Sequence, residues 1–263
     1  MNQDELLGRI VSVLENDPRV QAAWLSGSRA RGTQDKYSDI DVWLVTAPED
    51  FDGFLASWKS WSDLIGPTVL RQQVGHLPIF NHITPEWLRY DVVVATTDDV
   101  PSRSRTSVAL LFDRAGLDQN LAEPRPPLQP DPARVQALTT EFLRVIGLLP
   151  VVTGRAEYVV AASGAALLRT LLIQLMTEDV AVEDRGGALH LRGLLPPDRL
   201  SALTALPAIE ATRESVISAH MACARAFLPI ARDLCRRTGV PWPADLEDAA
   251  RAHLRAAMSV ELD

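Results

Sequence analysis

Two hydrophobic periods divide this chain. Between residues 3 and 95, short apolar or alternating runs are interleaved with amphipathic stretches, while from residue 131 onward the spacing is helical. Leu6, Leu7, Ile10, Val11 and Leu14 form the stripe of an amphipathic helix over residues 3–15. Residues 20–25 and 38–45, rich in β-branched and large apolar side chains, predict two strands. Phe54, Leu55, Trp58, Trp61 and Ile65 restore the helical period over residues 51–65. Residues 78–83 and 87–95 predict two more strands, joined by a Thr-Pro-Glu turn short enough for a hairpin. The expected N-terminal architecture is α/β (α+β), with a small mixed sheet.

The pattern breaks at residues 123–132, Glu-Pro-Arg-Pro-Pro-Leu-Gln-Pro-Asp-Pro, where five prolines remove backbone donors and disfavour both helix and central strand. A linker or wrapped surface crossover is expected here, separating domains at residues 1–125 and 131–263. Asp131 and Pro132 suit the N-cap and first position of a helix running to about Leu149. Residues 155–176, 211–237 and 243–258 repeat the helical spacing, so the second domain is expected to be an all-α bundle of four or five helices.

Composition supports two compact units, since 263 residues at 47% hydrophobic content exceed one typical domain and can bury a sizeable core. Residues 1–125 carry 18 acidic and 12 basic side chains, a net of −6, and the remainder is −2. Neither half has the clustered cationic face that extended nucleic acid requires. The basic pair Arg103 and Arg105 fits a solvated loop better than a triphosphate contact. Cys223 and Cys235 fall in one predicted helix, roughly 18 Å apart along its axis, too far for a disulfide. Free thiols suit a reducing cytoplasm. The longest apolar stretches, around residues 148–152 and 171–176, are too short to span a bilayer and the amino terminus is polar, so a cytoplasmic protein without membrane partners is expected. His76 and His82 flank the strand before Asp91 but match no zinc spacing, which favours surface or packing roles.

The chemistry concentrates in residues 25–45. Asp39 and Asp41, two apart on an extended segment, project from one face and can hold one hard cation. Upstream, Gly27 lets the backbone approach a ligand closely, and the Ser26-Gly27-Ser28 turn offers N–H groups and a hydroxyl to phosphate oxygens. Arg29 and Arg31 add positive charge. Each feature alone reads as an ordinary turn or strand edge; their co-occurrence within residues 27–41 points to metal-dependent handling of a phosphorylated ligand. Asp91 is a single acid inside the apolar run 87–95, expensive to bury unless it is paired, hydrogen-bonded or metal-bound. Its alternatives are an edge position facing water and a pair with Arg89 on the same strand face.

Gly27-Ser28-Arg29-Ala30-Arg31-Gly32 followed by Ser38-Asp39-Ile40-Asp41 resembles the signature of the DNA-polymerase-β-like nucleotidyltransferase superfamily. Within it, the chain is most similar to the aminoglycoside-type antibiotic nucleotidyltransferases. The resemblance implies a third carboxylate on a later strand, matched here by Asp91, with Asp39, Asp41 and Asp91 catalytic and bound to Mg²⁺. It implies that Gly27 and Ser28 hold the β- and γ-phosphates of a nucleoside triphosphate, while Arg29 or Arg31 offsets charge. Asp91 would complete the second metal site or accept the acceptor's proton. The donor is expected to be ATP, delivering AMP to a hydroxyl of a small molecule such as an aminoglycoside-like antibiotic, although no residue fixes the base. In such enzymes a helical C-terminal domain closes the acceptor site, so Arg155-Ala156-Glu157-Tyr158 is a candidate acceptor-side patch as well as an ordinary solvated helix start. Glu178, Asp179, Glu183 and Asp184 form an acidic group that could meet a cationic acceptor. Modification of a protein or RNA, as in toxin–antitoxin-associated members, and nucleotide binding without turnover are the alternatives. The large helical half argues against the first and the intact acid set against the second. Oligomeric state is left open.

Overall fold

Leu6, Ile10 and Leu14 are fully buried on one face of α1 (Gln3–Asn16), whose first turn is closed by a capping box between Asn2 and Glu5. The computed structural model describes residues 1–186 and 188–262. The chain forms two units, Met1–Arg125 and Pro126–Asp263.

In the first unit α1 is followed by β1 (Val20–Leu25), the one-turn α2 (Gly27–Ala30), β2 (Ile40–Thr46), α3 (Pro48–Ala56), α4 (Trp58–Ile65), β3 (Leu70–Gln73), β4 (Ile79–Ile83), β5 (Arg89–Thr96) and β6 (Ala109–Asp113). The strands make one mixed sheet in the order β3-β4-β5-β2-β1-β6. β2 and β5 are parallel, and the other neighbours are antiparallel. A parallel pair needs a crossover, which α3, α4 and the first two strands of the β3-β4-β5 meander supply between them. The helix expected over residues 51–65 is two helices that break at Ser57, whose hydroxyl donates to the Phe54 carbonyl at 2.9 Å. The apolar stripe continues across the break because Phe54 and Trp61 serve the same core, stacked at 5.5 Å.

One sheet face carries Ile40, Val42, Leu44, Phe80, Tyr90 and Val92 against α1, α3 and α4. The opposite face buries Ala22, Trp24, Trp43 and Val45 beneath Val100, Val108 and Leu121. With both faces covered, every residue of β2 is buried except Asp41, which is half-buried.

Residues 123–131 have no regular secondary structure. The second unit is all-helical: α5 (Pro132–Ile146), α6 (Leu149–Gly154), α7 (Tyr158–Glu178), α8 (Leu191–Leu194), α9 (Pro197–Thr204), α10 (Arg213–Thr238) and α11 (Ala244–Met258). Asp131 caps α5 by accepting from the Ala133 amide at 3.0 Å, with Pro132 at the first position. The core is built from α5, α7 and α10, with Phe142 stacked on Phe227 at 3.8 Å. Cys223 and Cys235 are buried and unpaired.

The expectation that the apolar stretches are too short to span a membrane needs correction. The segment Pro132–Gly154 and helix α7 are each long and apolar enough to do so by length and composition. The core helix of a folded bundle meets the same test, and Phe142, Leu143, Leu168, Leu172 and Leu175 of these helices face the bundle core.

Candidate active site

The end of β1 is pinned to β2 by the Ser26 amide, which donates to the Asp41 carbonyl at 2.8 Å. Gly27 then turns the chain with φ +63°, and a Cβ built there would lie 2.0 Å from Asp41 Oδ2. A side chain at this position would therefore meet both backbone strain and a carboxylate. This contact explains how the glycine turn and the second acid of the Asp-Ile-Asp motif come together. Ser28, on α2, is 2% exposed, and its hydroxyl has no partner among the described residues. A buried unpaired hydroxyl is costly, and a bound ligand oxygen would satisfy it.

Register assembles the acids. Asp41 and Asp91 are direct neighbours across the parallel β2–β5 pair, and Asn81 lies opposite Asp91 across the antiparallel β4–β5 pair. Asp39 precedes β2 on the same face. One carboxylate oxygen from each of Asp39, Asp41 and Asp91 lies within 4.8 Å of the other two. All three residues are half-buried.

Such crowding has an electrostatic consequence. Burial, then the charges of Asp39 and Asp91, push Asp41 from its ordinary 3.8 up to about 6, against the opposing pull of Arg31 and Arg89. Burial also raises Asp91, although a hydrogen bond from Asn81 works the other way. A hard divalent cation fits this donor set, because the charges of Arg31 and Arg89 leave Asp41 still raised among three acids.

The cations divide. Arg89 lies 3.7 Å from Asp39 Oδ2 and donates to the Tyr37 carbonyl at 3.0 Å, so the pair considered between Arg89 and Asp91 goes instead to Asp39. Arg29 is not aimed at the acids. Its Nη2 donates to Gln3 Oε1 at 2.9 Å, and Nη1 lies 3.9 Å from Asp4. His82 is 1% exposed on the opposite face from Asp91, stacked on Tyr90 at 4.3 Å, and burial pushes its pKa down to about 4. It is a neutral packing residue. His76 is exposed in a loop. Arg103 covers the Trp43 ring at 5.4 Å, and Arg105 donates to the Leu121 carbonyl, both scaffold contacts.

Asn81 and Gln3 were not singled out by sequence pattern. The hairpin turn between β4 and β5 carried a signal for Asn81, because that turn fixes residue 81 opposite residue 91. In the helical unit, Glu178 and Asp179 are not free for a cationic ligand. Glu178 accepts from the Asp131 amide and pairs with Arg185 and Arg134, and Asp179 pairs with Arg199 and Arg237. Glu157 is the N-cap residue of α7 and makes no side-chain cap bond; it and Arg155 are exposed.

The family model described as streptomycin adenylyltransferase matches residues 1–257. Among solved structures, an aminoglycoside 6-adenyltransferase from Bacillus subtilis is similar over 99% of this chain and 100% of that chain, at 12% identity and a TM-score of 0.46. No curated protein matches the chain.

Proposed function

The chain belongs to the streptomycin adenylyltransferase family, a group of DNA-polymerase-β-like nucleotidyltransferases, and from that premise we propose that it moves AMP from ATP onto a hydroxyl of a small molecule. An aminoglycoside-like antibiotic is the proposed acceptor class. The observation that carries the reading is the gathering of three carboxylates within 4.8 Å of one another beside an unpartnered, buried serine hydroxyl.

Asp39 and Asp41 would hold Mg²⁺, with Asp91 beside them. When bound, the ion neutralises phosphate charge and orients the triphosphate for in-line displacement at the α-phosphorus. Ser28 would donate its hydroxyl proton to a phosphate oxygen, and the Gly27 turn lets the phosphates approach the backbone. Arg31, whose charge acts on Asp41, is the candidate to offset phosphate charge. Burial raises the affinity of Asp91 for a proton, which suits it to take the proton of the acceptor hydroxyl as that oxygen bonds to phosphorus and pyrophosphate departs. If Asp91 serves instead as a metal ligand, Asp91→Asn should raise the Mg²⁺ requirement; as a base, it should flatten the acid limb of the pH profile. The unpaired thiols of Cys223 and Cys235 support a reducing cytoplasm as the place of action.

The test is pyrophosphate release from ATP, GTP, CTP and UTP with Mg²⁺ and a panel of aminoglycosides, with Asp39→Ala as the blank. Release that requires both metal and one acceptor is expected with ATP. Triphosphate binding without release under any combination would overturn the small-molecule transfer reading.

A further inference from the structure

We propose that Gln3 is a positioning residue that clamps both ends of the phosphate- and metal-binding segment at once, an inference that rests on the assignment of that segment to a triphosphate and its cation. Gln3 occupies the first turn of α1. Its Oε1 accepts from Arg29 Nη2 at 2.9 Å, one residue beyond Ser28. Its Nε2 donates to the Ser38 carbonyl at 2.6 Å and reaches the Lys36 carbonyl at 3.3 Å, immediately before Asp39. One side-chain amide thus joins the serine turn to the first acid.

The intervening segment needs such a device. Residues 31–37 are all exposed, so no hydrophobic packing orders them, and a loop of this kind loses conformational entropy when it is fixed. The clamp borrows rigidity from α1, whose Leu6, Ile10 and Leu14 are fully buried in the sheet core. Arg89, bonded to the Tyr37 carbonyl, is a second staple on the same loop. The chemistry calls for an amide: glutamate accepts but cannot donate to Ser38, and lysine donates but cannot accept from Arg29.

The test compares Gln3→Glu, Gln3→Met and Asn2→Ala with the wild type. Two quantities are read: amide hydrogen exchange over residues 29–39 in the unliganded protein, and the Kd for Mn²⁺ with a non-hydrolysable ATP analogue by calorimetry. Gln3→Glu keeps the acceptor for Arg29, loses both donor contacts and places a negative charge where a helix N-terminus favours it. Asn2→Ala removes the α1 cap without touching the clamp, so it reports what simple loosening of the helix does. The Thr33 and Ser38 amides, hydrogen-bonded to Ser28 and Asp35, should exchange about 5–10-fold faster in both Gln3 variants, with a similar loss of Mn²⁺–analogue affinity, the size of one lost hydrogen bond. Asn2→Ala should lower Tm while leaving both quantities within about twofold of wild type. Unchanged exchange in the Gln3 variants, or equal acceleration in Asn2→Ala, overturns the clamp. A wild type that fails to bind Mn²⁺ with the analogue counts against the assignment of the segment, and the clamp is then decided by exchange alone.

Discussion

Asp41 in the sheet unit and Glu247 in the helical unit are both acids withdrawn from water, yet their proton affinities move in opposite directions. Glu247 is 6% exposed, and burial works to raise its pKa. Hydrogen bonds from Arg251, Trp242 and Arg232, at 2.8, 2.6 and 2.5 Å, outweigh burial and hold it below the ordinary range. Burial is also the largest influence raising Asp41, and there the neighbours are two more carboxylates, so its pKa rises to about 6. Burial pushes both acids the same way, and the partners decide whether it is outweighed. The helical unit saturates its buried acids with arginines from its own chain, as Glu178 and Asp179 also show. The sheet unit gathers acids and under-supplies cations, an arrangement that favours a cation from outside.

The largest effects are expected from removing the acids of the sheet unit. Asp39→Ala or Asp41→Ala should abolish turnover, measured as pyrophosphate release, while the melting temperature without metal stays level or rises because repulsion is relieved. Near-normal turnover in either variant would remove the metal-site reading. Asp91→Asn should reduce turnover by at least ~10²-fold; a change of only a few-fold would make Asp91 a structural residue.

Stability provides a smaller and sharper contrast. Glu247→Gln should cost about 1–3 kcal/mol, because it removes the negative charge facing Arg232 and Arg251 and replaces one of two acceptor oxygens with an amide NH2 that cannot accept, whereas Asp41→Asn should stabilise the metal-free protein at pH 7.5. Denaturant unfolding of both variants checks the opposite signs, and equal signs would sink the contrast.

The smallest expected effect is the pH dependence of Asp41. Its folded pKa of about 6 lies above its ordinary 3.8, so the folded protein holds a proton that the unfolded chain has already released. That stabilisation is fully present below 3.8 and is lost as pH rises through about 6. In EDTA, the Tm of wild type relative to Asp41→Asn should therefore fall by a few degrees between pH 4.5 and 7.5. Mg²⁺ competes with the proton, so its stabilising effect on wild type should grow over the same interval.

The acid set and the glycine turn were legible in the sequence because they are local. Asp39 and Asp41 show their shared face through strand alternation, and Asp91 shows itself as one acid in an apolar strand. The β-branched and apolar content of β2 was enough to predict a strand, although the strand begins at Ile40 and leaves Asp39 just outside it. β3 escaped notice because Leu70-Arg-Gln-Gln is a polar edge strand with little to bury, and β6 because Ala-Leu-Leu-Phe is too short to distinguish strand from helix. The break at Ser57 was hidden by a stripe that both helices continue. Arg29 was expected at the phosphates because it stands beside Ser28, but its partner is Gln3, a residue on a different element. Sequence spacing carries no signal for that contact, or for the arginines that neutralise Glu178 and Asp179, whereas Arg251 stands four residues after Glu247 on one helix.

Asp39, Asp41 and Asp91 are proposed to form a site open to a divalent cation next to a triphosphate. The most direct test is anomalous diffraction from crystals soaked with Mn²⁺ and a non-hydrolysable ATP analogue. The expected result is an Mn²⁺ peak bound by Asp39 and Asp41, with triphosphate oxygens at Ser28. A fully occupied analogue whose metal lies away from these carboxylates would contradict it.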